Sequence, residues 1–100
     1  MKINRKKFIY LISPNKINDK FYTSLNKVLN SGKVSFFQMR LKNYSLIKKI
    51  FIGKKIKQIC KKNNVKFIIN DDPYLTKRLD ADGCHLGQND TNLVQARKVL

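Results

Sequence analysis

Four short apolar runs, each followed by a longer segment of helical periodicity or by a turn and a cap, recur along this 100-residue chain. That alternation marks βα units on a parallel sheet, because parallel strands need a crossover that a helix normally supplies. KFIYLIS (7–13) is a predicted strand ended by Pro14 and Asn15, and residues 18–31 then carry Phe21, Leu25, Val28 and Leu29 at helical spacing before Gly32. VSFFQM (34–39) is a second strand. The following helix, Tyr44 to about Asn63, is expected to turn Leu46, Ile47, Ile50, Ile56 and Ile59 to the sheet and its lysines outward. VKFII (65–69) reads as a buried third strand, Pro73 suits the first turn of a short helix, and Asp82-Gly83 leads into a compact fourth strand, CHL (84–86). Asp90 or Thr91 can cap a last helix built on Leu93, Val94, Ala96, Val99 and Leu100.

Four units on one sheet make part of one α/β domain. No linker, low-complexity tract or second domain interrupts residues 1–100. Lysines break every apolar run, so no stretch reaches the roughly 20 residues that span a bilayer. The start, MKINRKKFIYLISP, is basic and then apolar, yet FIYLIS is too short for the core of a secretory signal. Cys60 and Cys84 lack paired or metal-ligand spacing, which suits a reducing compartment, so a cytoplasmic location is expected. The formal charge is +16, from 22 Lys and Arg against 6 acids. Such an excess raises the question of nucleic-acid or anionic-membrane binding. The lysines are scattered through every segment with no binding motif, so a background bias toward Lys, Ile and Asn accounts for the charge, and neither a specific nucleic acid nor a membrane is expected as partner.

Chemistry-bearing residues cluster where strands end. The two-residue period of FFQMRLK puts Phe36, Gln38, Arg40 and Lys42 on one side and Phe37, Met39 and Leu41 on the other. A polar row is costly on a sheet covered on both faces unless it lies at the open carboxyl mouth, where α/β barrels place their sites and an anion can pair with it. Asn70-Asp71 follows FII at the tip of the third strand. Asn can bond a phosphate there and Asp can hold a metal, although both residues also suit a turn or helix cap. After the fourth strand, Gly87, Gln88 and Asp90 supply a tight turn and another carboxylate at the same rim. Neighbouring strands lie about 4.8 Å apart, which would let Asp71 and Asp90 share one ion. Mg²⁺ suits such a pair, since it commonly takes one or two carboxylates and fills its shell with water and substrate phosphate. His85 lies inside the fourth strand and reads as a packed or hydrogen-bonded side chain rather than a catalytic one.

Read together, Tyr10-Leu11-Ile12, Gln38-Met39-Arg40-Leu41-Lys42, Ile68-Ile69-Asn70-Asp71 and Asp82-Gly83-Cys84-His85-Leu86-Gly87-Gln88-Asn89-Asp90 resemble, in order and spacing, the motifs of the thiamine-phosphate synthases. The resemblance implies a TIM (β/α)8-barrel fold, of which this chain carries about four units as an N-terminal half. It also implies an Mg²⁺-dependent transferase that joins 4-amino-2-methyl-5-(diphosphooxymethyl)pyrimidine to a thiazole phosphate, giving thiamine phosphate and releasing pyrophosphate. Carried over residue by residue, Gln38, Met39, Arg40, Leu41, Lys42 and Asn70 would form the pyrimidine-diphosphate site, Arg40 and Lys42 would serve catalysis by neutralising the leaving diphosphate, and Asp71 and Asp90 would hold Mg²⁺. Leu41 stands where many members have an acidic or polar residue, on the side facing away from the pocket. A complete barrel needs roughly 200 residues or more, so self-association or a missing carboxyl-terminal half would have to complete the site. Two alternatives stay open at this point: a thiazole tautomerase-like barrel, and an inactive half-barrel with incidental polyanion binding.

Overall fold

The structure is a computed structural model and describes residues 9–86. Its elements run β1 (Ile9–Ile12), α1 (Asp19–Leu29), β2 (Val34–Met39), α2 (Leu46–Lys62), β3 (Lys66–Asn70), α3 (Pro73–Leu79) and β4 (Gly83–His85). The predicted last helix and Asp90 lie outside the described residues. All four strands are parallel, and their spatial order is the order of the chain, β1-β2-β3-β4. That order decides the architecture. Parallel crossovers share one hand, so a sheet that never reverses its strand order carries all its helices on one face and curls toward a barrel; an open doubly wound sheet would need a reversal.

Helix starts follow local chemistry. Asn18 Oδ1 accepts from the backbone N–H of Lys20 and Phe21, both at 3.0 Å, and Ser45 Oγ accepts from Lys48 N–H at 3.2 Å. At α3, Asp72 Oδ1 accepts from Leu75 N–H at 3.0 Å, and Pro73 occupies the first turn, where its missing N–H costs nothing. Asn63 closes α2, and Asn64 turns the chain with φ 58°.

The core fills the space between helices and sheet. Phe37, Met39, Phe67 and Ile69 point to the helix side and meet Leu25 and Leu29 of α1, Ile52, Ile56 and Cys60 of α2, and Leu75 and Leu79 of α3. Gly53 lets α2 and α3 touch, since its missing Cβ leaves room for the Leu79 side chain. Here the expected facing of two helices needs correction. Ile47 is 79% exposed and Leu46 is also exposed, whereas Ile52, Gly53, Ile56 and Cys60 form the buried stripe. In α1 Val28 is exposed, while Leu25 and Leu29 are buried. Apolar residues are so frequent in α2 that several phases of a 3.6-residue period fit its sequence, and the contact with Leu79 selects one of them. The fourth strand likewise begins at Gly83 rather than Cys84.

The alternate strand residues face away from the helices. In register they form one row of Tyr10, Phe36 and Lys66, a second of Ile12, Gln38, Ile68 and Gly83, and a third that pairs Asn70 with His85. Tyr10 and Ile12 are exposed there. Among the described residues no helix is long and apolar enough to cross a membrane.

Candidate active site

Because the strands are parallel, the segments leaving β2 and β3 emerge on the same edge of the sheet. Arg40 and Lys42 follow β2 and are exposed, while Asn70 ends β3 half-buried and the exposed Asp71 comes next. Their strands are hydrogen-bonded neighbours, with Gln38 opposite Ile68 and Met39 opposite Ile69. Two cations and an amide–carboxylate pair therefore share one rim.

The backbone of that rim is tied down by groups the sequence alone does not mark. Ser13, just past β1 and buried, accepts from Arg40 N–H through its hydroxyl oxygen at 2.9 Å, and its own N–H donates to the Gln38 carbonyl at 2.9 Å. Further along, Ile17 N–H donates to Tyr44 Oη at 3.0 Å. The loop after β1 is thus zipped to the loop after β2, and it sets the path that carries Arg40 and Lys42. Asp71 takes a left-handed backbone, φ 50°, while its N–H donates to the His85 carbonyl at 2.6 Å. The cap of α3 is Asp72, so the carboxylate of Asp71 is not spent on capping.

Gln38 lies inside the sheet rather than at its mouth. It is 3% exposed, and its Nε2 donates to Tyr10 Oη at 3.0 Å across the strand pair. The side chains of Met39 and Leu41 turn to the helix-side core. On the open face beside Asn70, the buried Nδ1 of His85 has no hydrogen-bond partner among the described residues. Most buried polar atoms are bonded, so this ring nitrogen is an exception among the described residues. In the sequence His85 is marked by its place in the Asp82–Asp90 motif and as the polar side chain of a strand of three.

Asp82, within the most distinctive motif, holds structure together. Its carboxylate accepts from Phe67 N–H at 2.8 Å while its own N–H donates to the Phe67 carbonyl at 2.8 Å, which clasps the start of β3 to the approach to β4. A cleft of about 320 Å³ opens at this opposite end of the sheet, lined by Lys57, Lys61, Asn64, Lys66, Asp80 and Asp82. Barrel chemistry sits at the carboxyl ends of the strands, so that cleft is not the candidate site. Cys60 in its wall is buried, and burial together with the charge of Asp82 pushes its thiol up to about 12.

No group of three or more His, Cys, Asp or Glu side chains that could hold a metal exists among the described residues. Asp90, Gly87 and Gln88 lie outside them, so the convergence of Asp71 with Asp90 stays an expectation. What Asp71 offers is one hard oxygen donor at the rim, which fits a divalent cation that takes its remaining ligands from water and phosphate.

A family model described as thiamine monophosphate synthase matches residues 9–100. The chain belongs to that family. A thiamine-phosphate synthase of Pelagibacter ubique is 64% identical over 100 residues, covering 99% of this chain and 48% of that protein. A thiamine-phosphate synthase of Fusobacterium nucleatum is 43% identical over 96 residues, covering 92% of this chain and 45% of its own length. Among solved structures, a thiamine phosphate pyrophosphorylase from Pyrococcus furiosus superposes with a TM-score of 0.64 at 24% identity, over 78% of this chain and 37% of that one. The chain therefore spans about half the length of the curated synthases it matches, and the parallel sheet with its row of helices is of the TIM-barrel type.

Proposed function

We propose that this chain is the N-terminal part of a single barrel domain and carries the pyrimidine-diphosphate side of a thiamine-phosphate synthase active site. The observation that carries this reading is the gathering of Arg40, Lys42, Asn70 and Asp71 at the carboxyl ends of two adjacent parallel strands. In the reaction, the C–O bond between the pyrimidine methylene and the diphosphate breaks, pyrophosphate leaves with the bonding electrons, and the thiazole nitrogen lone pair forms the new C–N bond. Negative charge grows on the departing oxygens. Arg40 and Lys42, held by the Ser13 clamp, stand where they neutralise it, and preorganised charges of this kind are commonly the largest contribution to catalysis. Asn70 donates its amide to a phosphate oxygen, and Gln38 faces the pyrimidine ring.

Asp71, with Asp90, would hold Mg²⁺. Bound there, the ion would neutralise and orient the diphosphate oxygens. The substrates are small molecules, and the two free, buried cysteines agree with a reducing, cytoplasmic setting. Release of pyrophosphate from the two substrates, measured with and without Mg²⁺, tests this. Asp71→Asn, which keeps a side chain suited to the left-handed backbone at this position, is expected to lower Mg²⁺-dependent release by orders of magnitude while leaving the urea midpoint within error. Full activity in that variant would remove Asp71 from the metal site.

A further inference from the structure

The segments that leave β1 and β2 match in length. Residues 13–18 run from the end of β1 to the cap of α1 at Asn18, and residues 40–45 run from the end of β2 to the cap of α2 at Ser45. Three hydrogen bonds join the two segments, each between residues 27 positions apart. Arg40 N–H donates to Ser13 Oγ at 2.9 Å, Lys42 N–H to the Asn15 carbonyl at 3.4 Å, and Ile17 N–H to Tyr44 Oη at 3.0 Å. Parallel pairing therefore continues past the sheet as a ladder of alternate residues, and its two outer rungs are made by side chains.

The rungs are unequal. An N–H···O bond commonly spans about 2.9–3.0 Å, so the middle one, at Lys42, is the weakest. The Lys42 backbone is held less by its own contact than by the anchors on either side. On one side the anchor bonds Arg40 itself. On the other, Asn43 turns the chain with φ 64°, and Tyr44 follows with its ring half-buried against the helix-side core, where Ile17 also packs. A ring fixed by packing presents its hydroxyl at a nearly constant point, because only two torsions place it. Removing that hydroxyl would end the ladder at the long Lys42–Asn15 contact and free the backbone around Lys42, while Arg40 keeps its own bond to Ser13.

We propose that Tyr44 is a positioning residue for Lys42: by receiving the N–H of Ile17, its hydroxyl fixes the backbone from which the Lys42 ammonium reaches the diphosphate. This rests on the functional reading above. It goes beyond that reading by giving the two cations of the rim separate anchors, Ser13 for Arg40 and Tyr44 for Lys42. A lysine carries its charge on a flexible stem of four carbons, so a fixed starting point leaves less ordering for the ligand to impose.

The test is titration calorimetry of inorganic pyrophosphate at fixed Mg²⁺, on the wild-type chain and on Tyr44→Phe made alone, with Lys42→Ala and with Arg40→Ala, a urea midpoint being taken for each to show that it is folded. Tyr44→Phe keeps the ring and its packing. It should weaken pyrophosphate binding about two- to tenfold, the worth of one hydrogen bond. In the Lys42→Ala background the same change should have no effect, because Tyr44 acts through Lys42, whereas in the Arg40→Ala background the two- to tenfold loss should persist. A merely structural tyrosine would lower the urea midpoint without this dependence on Lys42. Unchanged affinity in Tyr44→Phe, or a loss that persists without Lys42, overturns the inference and leaves the functional reading intact as long as Lys42→Ala itself weakens binding. If Lys42→Ala binds pyrophosphate as tightly as the wild-type chain, or the wild-type chain does not bind it, both are overturned.

Discussion

Gly53→Ala tests how α3, and with it the rim at the tip of β3, is held against α2. A Cβ built on Gly53 overlaps Leu79 Cδ1 and stands 3.3 Å from Cδ2 and 3.4 Å from Cγ. Carbon pairs rest at about 3.5–4.0 Å, so the Leu79 side chain has to retreat by on the order of 1 Å. Leu79 is buried in the same core as Ile52, Ile56 and Leu75, which leaves no solvent to swing into, and α3 must move instead. Overpacking of this kind costs about 1–3 kcal/mol. Replacing a mid-helix glycine returns about 1 kcal/mol of helix propensity. The net expectation is a loss of up to about 2 kcal/mol, read as a lower urea midpoint with an unchanged slope. Leu79→Ala alone should cost about 2–5 kcal/mol, and the double variant should fall short of the sum because the methyl added at position 53 fills part of the space that Leu79 vacates. If Gly53→Ala stabilised the chain, as it would on an exposed helix, or if the two changes were additive, the close contact between α2 and α3 would be refuted.

Two further outcomes follow from the rim and from the core. Ser13→Ala takes the acceptor from Arg40 N–H; because Ser13 is buried, that donor loses its partner and the stability cost should be about 1–3 kcal/mol, and pyrophosphate affinity should fall about two- to tenfold through displacement of Arg40. Unchanged affinity would free Arg40 from that clamp. In a Cys84→Ala variant, Cys60 should resist aromatic disulfide reagents at about pH 8 in the folded chain and react in urea. Its thiol, raised in the folded state, binds its proton more tightly than the unfolded chain does, so the associated stability is intact below about pH 9 and declines as pH rises toward about 12, a trend that urea midpoints across that range would check.

Much of the fold is legible in local chemistry. VSFFQM is the second strand residue for residue, Pro73 opens α3, and Asn63-Asn64 ends α2, because strand period, a missing N–H and a left-handed turn are properties of short stretches. The polar residues after each strand were legible for the same reason. The sequence also pointed to the family, whose motifs are contiguous, so Arg40, Lys42, Asn70 and Asp71 could be named without a structure. Their shared rim then follows from parallel pairing alone.

What lay beyond the sequence is whatever depends on contacts between distant residues. Helix phase in α2 was one such case, since its many isoleucines fit several faces and only the approach of Leu79 to Gly53 buries Ile52 and Ile56 while leaving Ile47 in solvent. The Ser13 clamp on Arg40, the Asp82 clasp on Phe67, the hydroxyl of Tyr10 meeting Gln38 and the unpartnered nitrogen of His85 were others. Each joins groups at least 15 positions apart, or depends on which neighbours a strand acquires, and no local pattern encodes such a pairing. The sequence by itself determined which side chains could do chemistry and in what order they come. The tertiary structure decided which of them are held still and what holds them, because a backbone N–H or an amide finds its partner only when the register of the sheet brings the two together.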